Sequence, residues 1–329
     1  MTRLAGHDVF PIGLGCMNLS HAYATPPPRE ASHALLRAAL DAGITHFDTA
    51  ALYGFGSNEE LLGEVLPPFR DRIVLASKCG MTGVDGKRVI DGRPATLKRT
   101  CEESLRRLRT DRIDLYYLHR WDKRVPIEDS VGALADLVKA GAIGAIGLSE
   151  VSVATLRRAH AVHPIAALQS EYSMWTRPSE PVLQACHEIG ATFVAFSPLG
   201  RGFLTGAVRD PTTLTEKDLR RGMPRFQPPH FTHNLLVLER FEALAREANC
   251  TSAQLALLWL LGRPNVLPIV GTTSIAHLHE NLAVATLKVP AEILRRAEQI
   301  VSEATISGAR YPAATLAEID TEESNADAR

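Results

Sequence analysis

The chain has 329 residues, of which 45% are hydrophobic and 22% are charged, and its formal net charge is -1. This length suffices for one large α/β barrel or two smaller domains. The nearly neutral net charge gives no electrostatic reason to expect binding to nucleic acid or to an anionic membrane surface. The N-terminus has no signal-peptide pattern, and no apolar run approaches the roughly 18 residues of a membrane span. We therefore expect a cytoplasmic protein with neither a membrane nor a nucleic acid as partner.

The cysteines are odd in number and widely scattered: Cys16, Cys79, Cys101, Cys186 and Cys250. They contain no Cys-x-x-Cys pair, which argues against a disulfide framework and against a zinc site and favours a reducing compartment. We expect no metal.

Short apolar runs alternate with stretches of helical period along the chain. Eight runs predict strands, at residues 12–17, 44–48, 73–78, 113–119, 143–149, 166–170, 192–197 and 266–270. Between them, residues 94–109 are typical of an amphipathic helix that begins at a proline, and Ser57 and Glu60 have the spacing of a capping box. Eight strand–helix units in about 280 residues predict a (β/α)₈ TIM barrel, an α/β fold. The strand runs are apolar without alternation, as parallel strands buried on both faces should be.

Two segments depart from this pattern. Residues 203–233, after the seventh predicted strand, are rich in Pro, Arg and Gly; a loop of this length in a compact domain is more often a lid or a binding loop than a simple connection. The chain becomes acidic near its end, so we predict a single barrel domain over residues 1–315, with long loops on its top face, and a frayed acidic tail over residues 316–329.

Four polar residues lie at or just beyond the carboxyl ends of predicted strands. Asp48, Lys78 and His119 each end an apolar run, and Tyr53 follows Asp48 by five residues in a turn flanked by glycine. Parallel neighbouring strands end at one rim, so we expect the four side chains to converge there. A phenol, an ammonium, a carboxylate and an imidazole at one rim predict a proton-donating site.

Reduction of a carbonyl by hydride forms an alkoxide that needs a proton, and Tyr53 is the predicted donor. A phenol has an ordinary pKa of about 10, and an ammonium about 4 Å away attracts the phenolate by roughly 4 kcal/mol, or about three pKa units. We expect Lys78 to supply this charge, Asp48 to hold Lys78, and His119 to donate a hydrogen bond to the substrate oxygen. His46 lies two residues deeper than Asp48, and we expect it to be a hydrogen-bonded core histidine.

Barrels often bind phosphate in the loops after the seventh and eighth strands. Both loops have suitable residues: Ser197, Leu199, Gly200 and Arg201 in the first, and Gly271, Thr272, Thr273 and Ser274 in the second. The glycines permit close approach of the backbone, and Arg201 could meet phosphate oxygens. Gly13-Leu14-Gly15 and Gly200-Arg201-Gly202 resemble part of the dinucleotide-binding fingerprint. Neither completes the G-x-G-x-x-G pattern, so we reject a Rossmann fold.

Large apolar side chains cluster in the loops predicted for the top face. They are Met17, Tyr23, Phe55, Trp121, Trp175 and Phe203. In an oxidoreductase, such side chains would form the wall of a pocket that excludes water and holds a small-molecule carbonyl substrate, an aldehyde or a ketone.

Three segments carry a resemblance to a known family. Gly43-Ile44-Thr45-His46-Phe47-Asp48-Thr49-Ala50 with Tyr53-Gly54, Ala76-Ser77-Lys78-Cys79-Gly80, and Asp114-Leu115-Tyr116-Tyr117-Leu118-His119 resemble motifs of the aldo-keto reductases, and the similarity runs from about residue 4 to about residue 301. The resemblance implies NADPH-dependent reduction of an aldehyde or ketone to the alcohol, with Tyr53 as general acid and Lys78, Asp48 and His119 completing a catalytic tetrad.

The same resemblance implies a set of cofactor contacts. Ser149 and Gln169 would bind the nicotinamide amide, Phe196 would stack on its ring, and Glu280 and Asn281 would bind the adenine end. Glu150 stands where the family commonly has Asn, and Ser274 and His277 stand where many members have Lys and Arg for the 2′-phosphate. A neutral hydroxyl and an imidazole are weaker partners for a dianionic phosphate. The resemblance implies NADPH as the cofactor, and this departure keeps NADH open as the alternative.

Two other functions stay open at this point. The chain is similar to the potassium-channel β-subunits, so a cofactor-binding regulatory subunit with little turnover is one alternative. A barrel isomerase or aldolase with Lys78 as a Schiff-base lysine is the other, although Asp48 would keep that amine protonated and poorly nucleophilic. No oligomeric state is predicted.

Overall fold

The computed structural model of the chain describes residues 2–23, 25–84 and 86–321. Its strands are β1 (Thr2–Leu4), β2 (His7–Val9), β3 (Gly13–Gly15), β4 (His46–Asp48), β5 (Val74–Cys79), β6 (Met81–Val84), β7 (Lys87–Ile90), β8 (Ile113–Leu118), β9 (Ile143–Ser149), β10 (Ile165–Glu171), β11 (Thr192–Phe196) and β12 (Val266–Val270). The α-helices are α1 (Arg29–Asp41), α2 (Ser57–Val65), α3 (Pro94–Leu108), α4 (Ile127–Lys139), α5 (Val153–Val162), α6 (Glu180–Ile189), α7 (His230–Glu247), α8 (Ser252–Leu261), α9 (Ile275–Leu282), α10 (Ala291–Ile300) and α11 (Ala313–Leu316).

Eight of these strands close into a barrel in the order β10-β11-β12-β3-β4-β5-β8-β9. Every neighbouring pair is parallel, so the carboxyl ends of all eight strands meet at one rim. The prediction of a (β/α)₈ barrel is confirmed, and each of the eight predicted runs overlaps one barrel strand. Within residues 2–23, 25–84 and 86–321, no helix is both long and apolar enough to cross a bilayer.

The apolar side chains form two layers because both faces of each strand are covered. One layer lies between the strands and the surrounding helices. The other fills the barrel interior, where side chains such as Tyr117 and Leu267 pack with Leu4 and Val9. Leu4 and Val9 come from the antiparallel hairpin of β1 and β2, which closes the end opposite the rim.

This hairpin and a second one, formed by β6 and β7, are absent from the predicted strands. Both are short, and Lys87, Arg88 and Val89 of the second are exposed, so neither produces the apolar run by which the barrel strands were recognised. The second hairpin follows β5 directly and stands on the rim.

The predicted start of α2 is correct, but its predicted capping box is not. Gly56 is the N-cap, Ser57 is already the first helical residue, and no side chain among the described residues caps the helix. A capping box does occur at α8, where Thr251 and Gln254 bond to each other's backbone. The Ser-x-x-Glu spacing thus located the start of the helix, but the N-cap lies one residue earlier than predicted.

The long segment after β11 contains four short 3₁₀ helices (Gly200–Thr205, Pro211–Thr213, Leu219–Gly222 and Pro224–Phe226) before α7 begins. The structure also corrects the predicted tail. Residues 316–321 are not frayed, because Ile319 and Thr321 are buried and Asp320 accepts hydrogen bonds from the backbone N–H and the hydroxyl of Ser152, at 2.9 and 2.8 Å. The rest of that prediction concerns residues 322–329, which lie outside the described part of the chain.

Candidate active site

The four predicted residues lie together at the carboxyl rim of the barrel. Asp48 is the last residue of β4, Lys78 is the penultimate residue of β5, and His119 directly follows β8. Tyr53 is brought over them by the 3₁₀ turn Tyr53–Gly56 that follows β4. Parallel pairing of β4, β5 and β8 therefore accomplishes the convergence that the sequence predicted.

Lys78 is the centre of this cluster. Its fully buried ammonium donates to Asp48 Oδ1, to the Thr49 carbonyl oxygen at 2.8 Å and to the Tyr53 hydroxyl at 3.2 Å. Burial on its own lowers the pKa of Lys78, but the Asp48 carboxylate and the Tyr53 phenol outweigh burial, so the pKa lies above its ordinary value. The amine is thus held as an ammonium beside the phenol. The second oxygen of Asp48 accepts a hydrogen bond of 2.8 Å from Gln169, which fixes the carboxylate.

The position of the Tyr53 hydroxyl depends on an unusual turn. Gly54, Phe55 and Gly56 all have positive φ, at 56°, 53° and 99°, and a side chain at position 54 would collide with Ser57. For Phe55 this conformation is strained.

Asn58, which was not among the predicted site residues, ties this turn to the barrel. It accepts from the Thr49 hydroxyl at 2.6 Å and donates to the Cys16 carbonyl at 2.9 Å and the Ser20 hydroxyl at 2.8 Å. Its polar side chain on the buried face of α2 was the signal that could have revealed it.

The electrostatics of Tyr53 differ from the prediction. Burial raises the pKa of Tyr53, and the opposing charge of Lys78 does not fully offset burial, so the net pKa lies above the ordinary value. The predicted fall of about three units in the pKa of Tyr53 assumed that the charge of the Lys78 ammonium acts on the phenol alone. In the structure, the Asp48 carboxylate neutralises much of that charge. Tyr53 is therefore a protonated phenol at neutral pH.

His119 stands across from Tyr53. The two ring centroids are 5.8 Å apart and the planes are nearly perpendicular, at 85°. Burial, with the charges of Lys78 and Arg120, places the pKa of His119 well below its ordinary value, so the imidazole is neutral. Its Nδ1 is sealed from solvent and has no hydrogen-bond partner among the described residues. His46, by contrast, is a buried histidine whose Nδ1 lies 3.1 Å from the Val74 carbonyl oxygen, which confirms its predicted place in the core.

A cavity of about 790 Å³ opens at this rim. Asp48, Tyr53 and His119 line it, whereas Lys78 lies behind them. Most of the predicted cofactor residues are also on its wall: Ser149, Gln169, Phe196, Ser197, Leu199, Arg201, Gly271, Thr272, Thr273, His277, Glu280 and Asn281. The long segment after β11 supplies further wall residues, among them Thr205, Leu219 and Met223, as a binding loop would.

Two predicted cofactor residues have other surroundings. Gly200 is buried against Trp175, and the Ser274 hydroxyl caps α9 by accepting from the His277 backbone N–H at 3.3 Å. Neither is on the cavity wall. Gly200 and Ser274 therefore stabilise the local backbone, one in a turn and the other at a helix start. Glycine and serine are typical of such positions and also of phosphate-binding loops, so the sequence pattern could not distinguish the two roles.

Arg201 lines the cavity, but its guanidinium is already occupied. It donates to Glu171 at 2.6 Å and to the Tyr311 hydroxyl. The predicted contact of Arg201 with phosphate oxygens would have to compete with a buried carboxylate. These two partners could not be predicted, because Glu171 lies in β10 and Tyr311 in the C-terminal segment, both far from Arg201 along the chain.

The predicted apolar wall is correct only in part. Met17 and Tyr23 line the cavity, but Phe55, Trp121, Trp175 and Phe203 do not. Phe55 is 58% exposed, and the Trp121 indole donates to the Val125 carbonyl at 2.9 Å. Trp175 and Phe203 stack with centroids 4.1 Å apart in the core. Trp121, Trp175 and Phe203 thus pack the loops onto the barrel, whereas Phe55 lies largely in solvent.

Other wall residues were missed by sequence reasoning. Met81, Arg88, Arg120, Arg220, Tyr311, Pro312 and Thr315 all line the cavity. Tyr311, Pro312 and Thr315 belong to the C-terminal segment, which was predicted to end the domain. This segment folds back over the rim of the barrel.

Glu150 and Arg310 fasten this C-terminal segment. Arg310 donates to both Glu150 oxygens, at 3.0 and 2.6 Å, and Glu150 also accepts from the Thr321 hydroxyl at 3.0 Å. Burial raises the pKa of Glu150, but the charge and hydrogen bonds of Arg310 outweigh burial and lower it to about 2. Glu150, which departs from the resemblance at this position, is therefore an ionised anchor.

No group of three or more histidine, cysteine, aspartate or glutamate side chains in the described ranges is placed to hold a metal ion. The cysteines are all free thiols. What the arrangement can do is donate a proton from a buried phenol to an atom in the cavity, beside a neutral imidazole that can donate or accept a hydrogen bond.

Known proteins are similar to this chain in both sequence and fold. The model of the Aldo/keto reductase family matches residues 11–302. The aldo-keto reductase yakc [NADP(+)] of Schizosaccharomyces pombe is 41% identical over 321 residues, covering 94% of each chain. The glycerol dehydrogenase of Gluconobacter oxydans superposes with a TM-score of 0.83 at 30% identity, over 91% of this chain and 94% of that one. An aldo/keto reductase from Klebsiella pneumoniae in complex with NADP and acetate gives 0.72 at 27% identity, over 94% and 99%.

These similarities confirm the resemblance read from the three motifs. The match from residue 11 to residue 302 takes in all eight strands of the barrel and the whole tetrad, and the chain therefore belongs to the aldo/keto reductase family.

Proposed function

We propose that this chain reduces an aldehyde or ketone to the alcohol with NADPH, with Tyr53 as the general acid. The observation that carries the proposal is the Tyr53 hydroxyl on the cavity wall, 3.2 Å from the Lys78 ammonium. The choice of NADPH is supported by the S. pombe relative, whose name specifies NADP(+), and by the K. pneumoniae reductase, whose structure is a complex with NADP. When bound, the cofactor supplies the hydride.

The cavity suits such a cofactor. Its volume of about 790 Å³ lies within the range of small-molecule sites, about 300–1,000 Å³. Its wall runs from the tetrad past the loop after β12 to α9, where His277, Glu280 and Asn281 face it. We propose that Ser149 and Gln169 hold the nicotinamide end, that Phe196 stacks on it, and that the residues of α9 hold the adenine end.

The chain's own residues then act on the substrate oxygen. Tyr53 gives its proton to the oxygen as negative charge develops there, and the fixed ammonium of Lys78 stabilises the phenolate that is left. Neutral His119 orients the substrate oxygen by hydrogen bonding. Asp48 keeps Lys78 charged and in place. General-acid assistance of this kind typically contributes about 10²–10⁴ in rate.

Substitution of Tyr53 by Phe tests the assignment. We expect kcat to fall by about 10²–10⁴-fold, while the Kd for NADPH, measured by fluorescence titration, changes little. Tyr172→Phe is the matched control, because it removes a hydroxyl that bonds Glu180 at 3.0 Å outside the cavity. A Tyr53→Phe enzyme that keeps most of its activity would remove Tyr53 from the role of acid.

The cofactor preference has a separate test. With Ser274 occupied as a helix cap, His277 is the remaining member of the pair that stands where the family often has Lys and Arg. Comparison of kcat/KM for NADPH and NADH decides the matter, and an advantage of tenfold or more for NADH would overturn the choice of NADPH.

The alternatives make different predictions. A Schiff-base role for Lys78 is disfavoured, because its ammonium is hydrogen-bonded to three acceptors and its pKa is raised. For a regulatory subunit, turnover should be slower than about one event per minute with every aldehyde and ketone tested; typical enzymes turn over at about 1–10³ per second.

A further inference from the structure

Arg120 directly follows His119 and contributes a half-buried guanidinium to the cavity wall. Its Nη1 donates to the His119 carbonyl oxygen at 2.7 Å and to the Ser149 hydroxyl at 3.2 Å. Both acceptors are neutral. The hydrogen bonds therefore hold the guanidinium on the rim without neutralising its charge.

The other arginines on the cavity wall differ in this respect, since each has a carboxylate partner: Arg88 has Glu318, Arg201 has Glu171 and Arg220 has Asp218. Within residues 2–23, 25–84 and 86–321, no carboxylate lies within 4.0 Å of Arg120. Its Nε and Nη2 likewise have no hydrogen-bond partner in that part of the chain, and neither atom is sealed from solvent. Arg120 thus presents an unpaired positive charge and an open hydrogen-bonding edge.

This charge is at the reacting end of the cavity. Arg120 follows β8, and β12 is four strands away in either direction around the eight-stranded barrel, so the loop after β12 that we assign to the cofactor is on the opposite side of the rim. Burial raises the pKa of Tyr53, and the positive charges of Lys78 and Arg120 oppose the rise. Arg120 also adjoins His119, whose ring lies 5.8 Å from that of Tyr53 on the same cavity wall, so its guanidinium is on the side of the cavity that holds the tetrad.

We propose that Arg120 is a specificity-determining residue that binds an anionic group on the substrate, a carboxylate in particular. The preferred substrates are then aldehydes or ketones that carry a carboxylate a few atoms from the carbonyl. A guanidinium matches a carboxylate through two parallel N–H···O bonds, which fix orientation as well as adding affinity. This inference rests on the proposed reductase function and narrows its substrate class.

The test compares charged and neutral forms of one substrate. The probes are 3- and 4-carboxybenzaldehyde and their methyl esters, with NADPH oxidation as the readout. In Arg120→Met we expect kcat/KM to fall by about tenfold to a hundredfold for at least one of the acids, mainly through KM, as for loss of a hydrogen bond to a charged group. Both esters should stay within about threefold of the wild type. Arg120→Lys should recover part of the loss, because it restores the charge without the planar fork.

Arg124→Met is the matched control. Arg124 lies on the same loop, is 78% exposed and is paired with Asp122, so its replacement removes the same charge away from the cavity and should leave the acid-to-ester ratio unchanged. A ratio that moves by less than about threefold in Arg120→Met for both acids would overturn the proposal. So would a rise in the Kd for NADPH that matches the rise in KM, because Arg120 would then position the cofactor through Ser149. Failure of the wild type to reduce any of the four probes would instead count against the reductase function itself.

Discussion

Replacement of Arg310 by Met should destabilise the protein, because it leaves the buried Glu150 carboxylate without its cationic partner. Glu150 is fully buried, accepts two hydrogen bonds from Arg310 and also bonds the Glu171 backbone N–H at 2.8 Å. Glu171 lies 3.7 Å from the same guanidinium. Met fills much of the volume of the arginine stem but offers no charge, so Glu150 loses its principal cation.

The magnitude follows from the pKa of Glu150, which falls from an ordinary value of 4.5 to about 2. Since one pKa unit corresponds to about 1.4 kcal/mol, the interactions of the ionised carboxylate stabilise the fold by about 3 kcal/mol at pH 7. Removal of one partner from a buried ion pair typically costs about 3–5 kcal/mol, in agreement. For a chain of this length the loss corresponds to a fall in Tm of roughly 5 °C.

The pH dependence has a definite sign. A carboxyl whose folded-state pKa is depressed contributes stability that is present above its unfolded pKa, and this contribution is lost as the pH falls from 4.5 towards 2. In Arg310→Met the buried Glu150 should take up a proton more readily. The gap in Tm between the wild type and the variant should therefore narrow as the pH is lowered from about 7 to about 4.

Thermal unfolding followed by circular dichroism at both pH values measures this gap. Arg296→Met serves as the control, because Arg296 forms an exposed pair with Glu247, and its Tm should change by less than about 1 °C. The double variant Glu150→Gln/Arg310→Met should recover part of the loss, since the stranded charge is gone. An Arg310→Met protein no less stable than Arg296→Met at pH 7, or a gap that widens at pH 4, would refute the reasoning.

Three further outcomes follow from the site. Burial raises the pKa of Tyr53, so the kcat for carbonyl reduction should stay level from about pH 6 to about pH 9. Alcohol oxidation needs the phenolate, and its kcat should rise with pH over the same range. A tenfold fall in the kcat for reduction across that range would contradict the raised pKa. Phe55→Ala should leave the KM for carbonyl substrates within about twofold, since its ring is 58% exposed and off the cavity wall; a larger change would return Phe55 to the substrate pocket. Trp175→Ala should lower the free energy of unfolding by about 3–5 kcal/mol through lost core packing against Phe203, as checked by urea denaturation, and a loss below about 1 kcal/mol would place Trp175 outside the core.

The barrel and the tetrad were predictable because their signals are local. Each barrel strand is an apolar run covered on both faces, and such a run is visible in any short window of sequence. Asp48, Lys78 and His119 end three of these runs, so their convergence followed from parallel pairing alone. The exposed hairpin of β6 and β7 and the short one of β1 and β2 carry no such signal.

The corrected predictions share a different cause. Trp175 and Phe55 are large apolar residues in rim loops, and hydrophobicity alone does not reveal whether a ring faces the cavity, the core or solvent. The pairing of Arg201 with Glu171 joins residues 30 positions apart, and that of Glu150 with Arg310 spans 160.

The amino-acid order by itself thus determined the closed barrel, the rim that carries the chemistry and the four residues that meet there, because strand burial and strand ends are properties of neighbouring residues. The folded arrangement was needed to show which charges are paired, which aromatic rings face the cavity, and whether burial or Lys78 has the larger effect on the pKa of Tyr53. Those outcomes depend on desolvation and on partners brought together from distant parts of the chain. The lack of a carboxylate partner for Arg120 among the described residues is likewise visible only when its neighbours in the fold are in place.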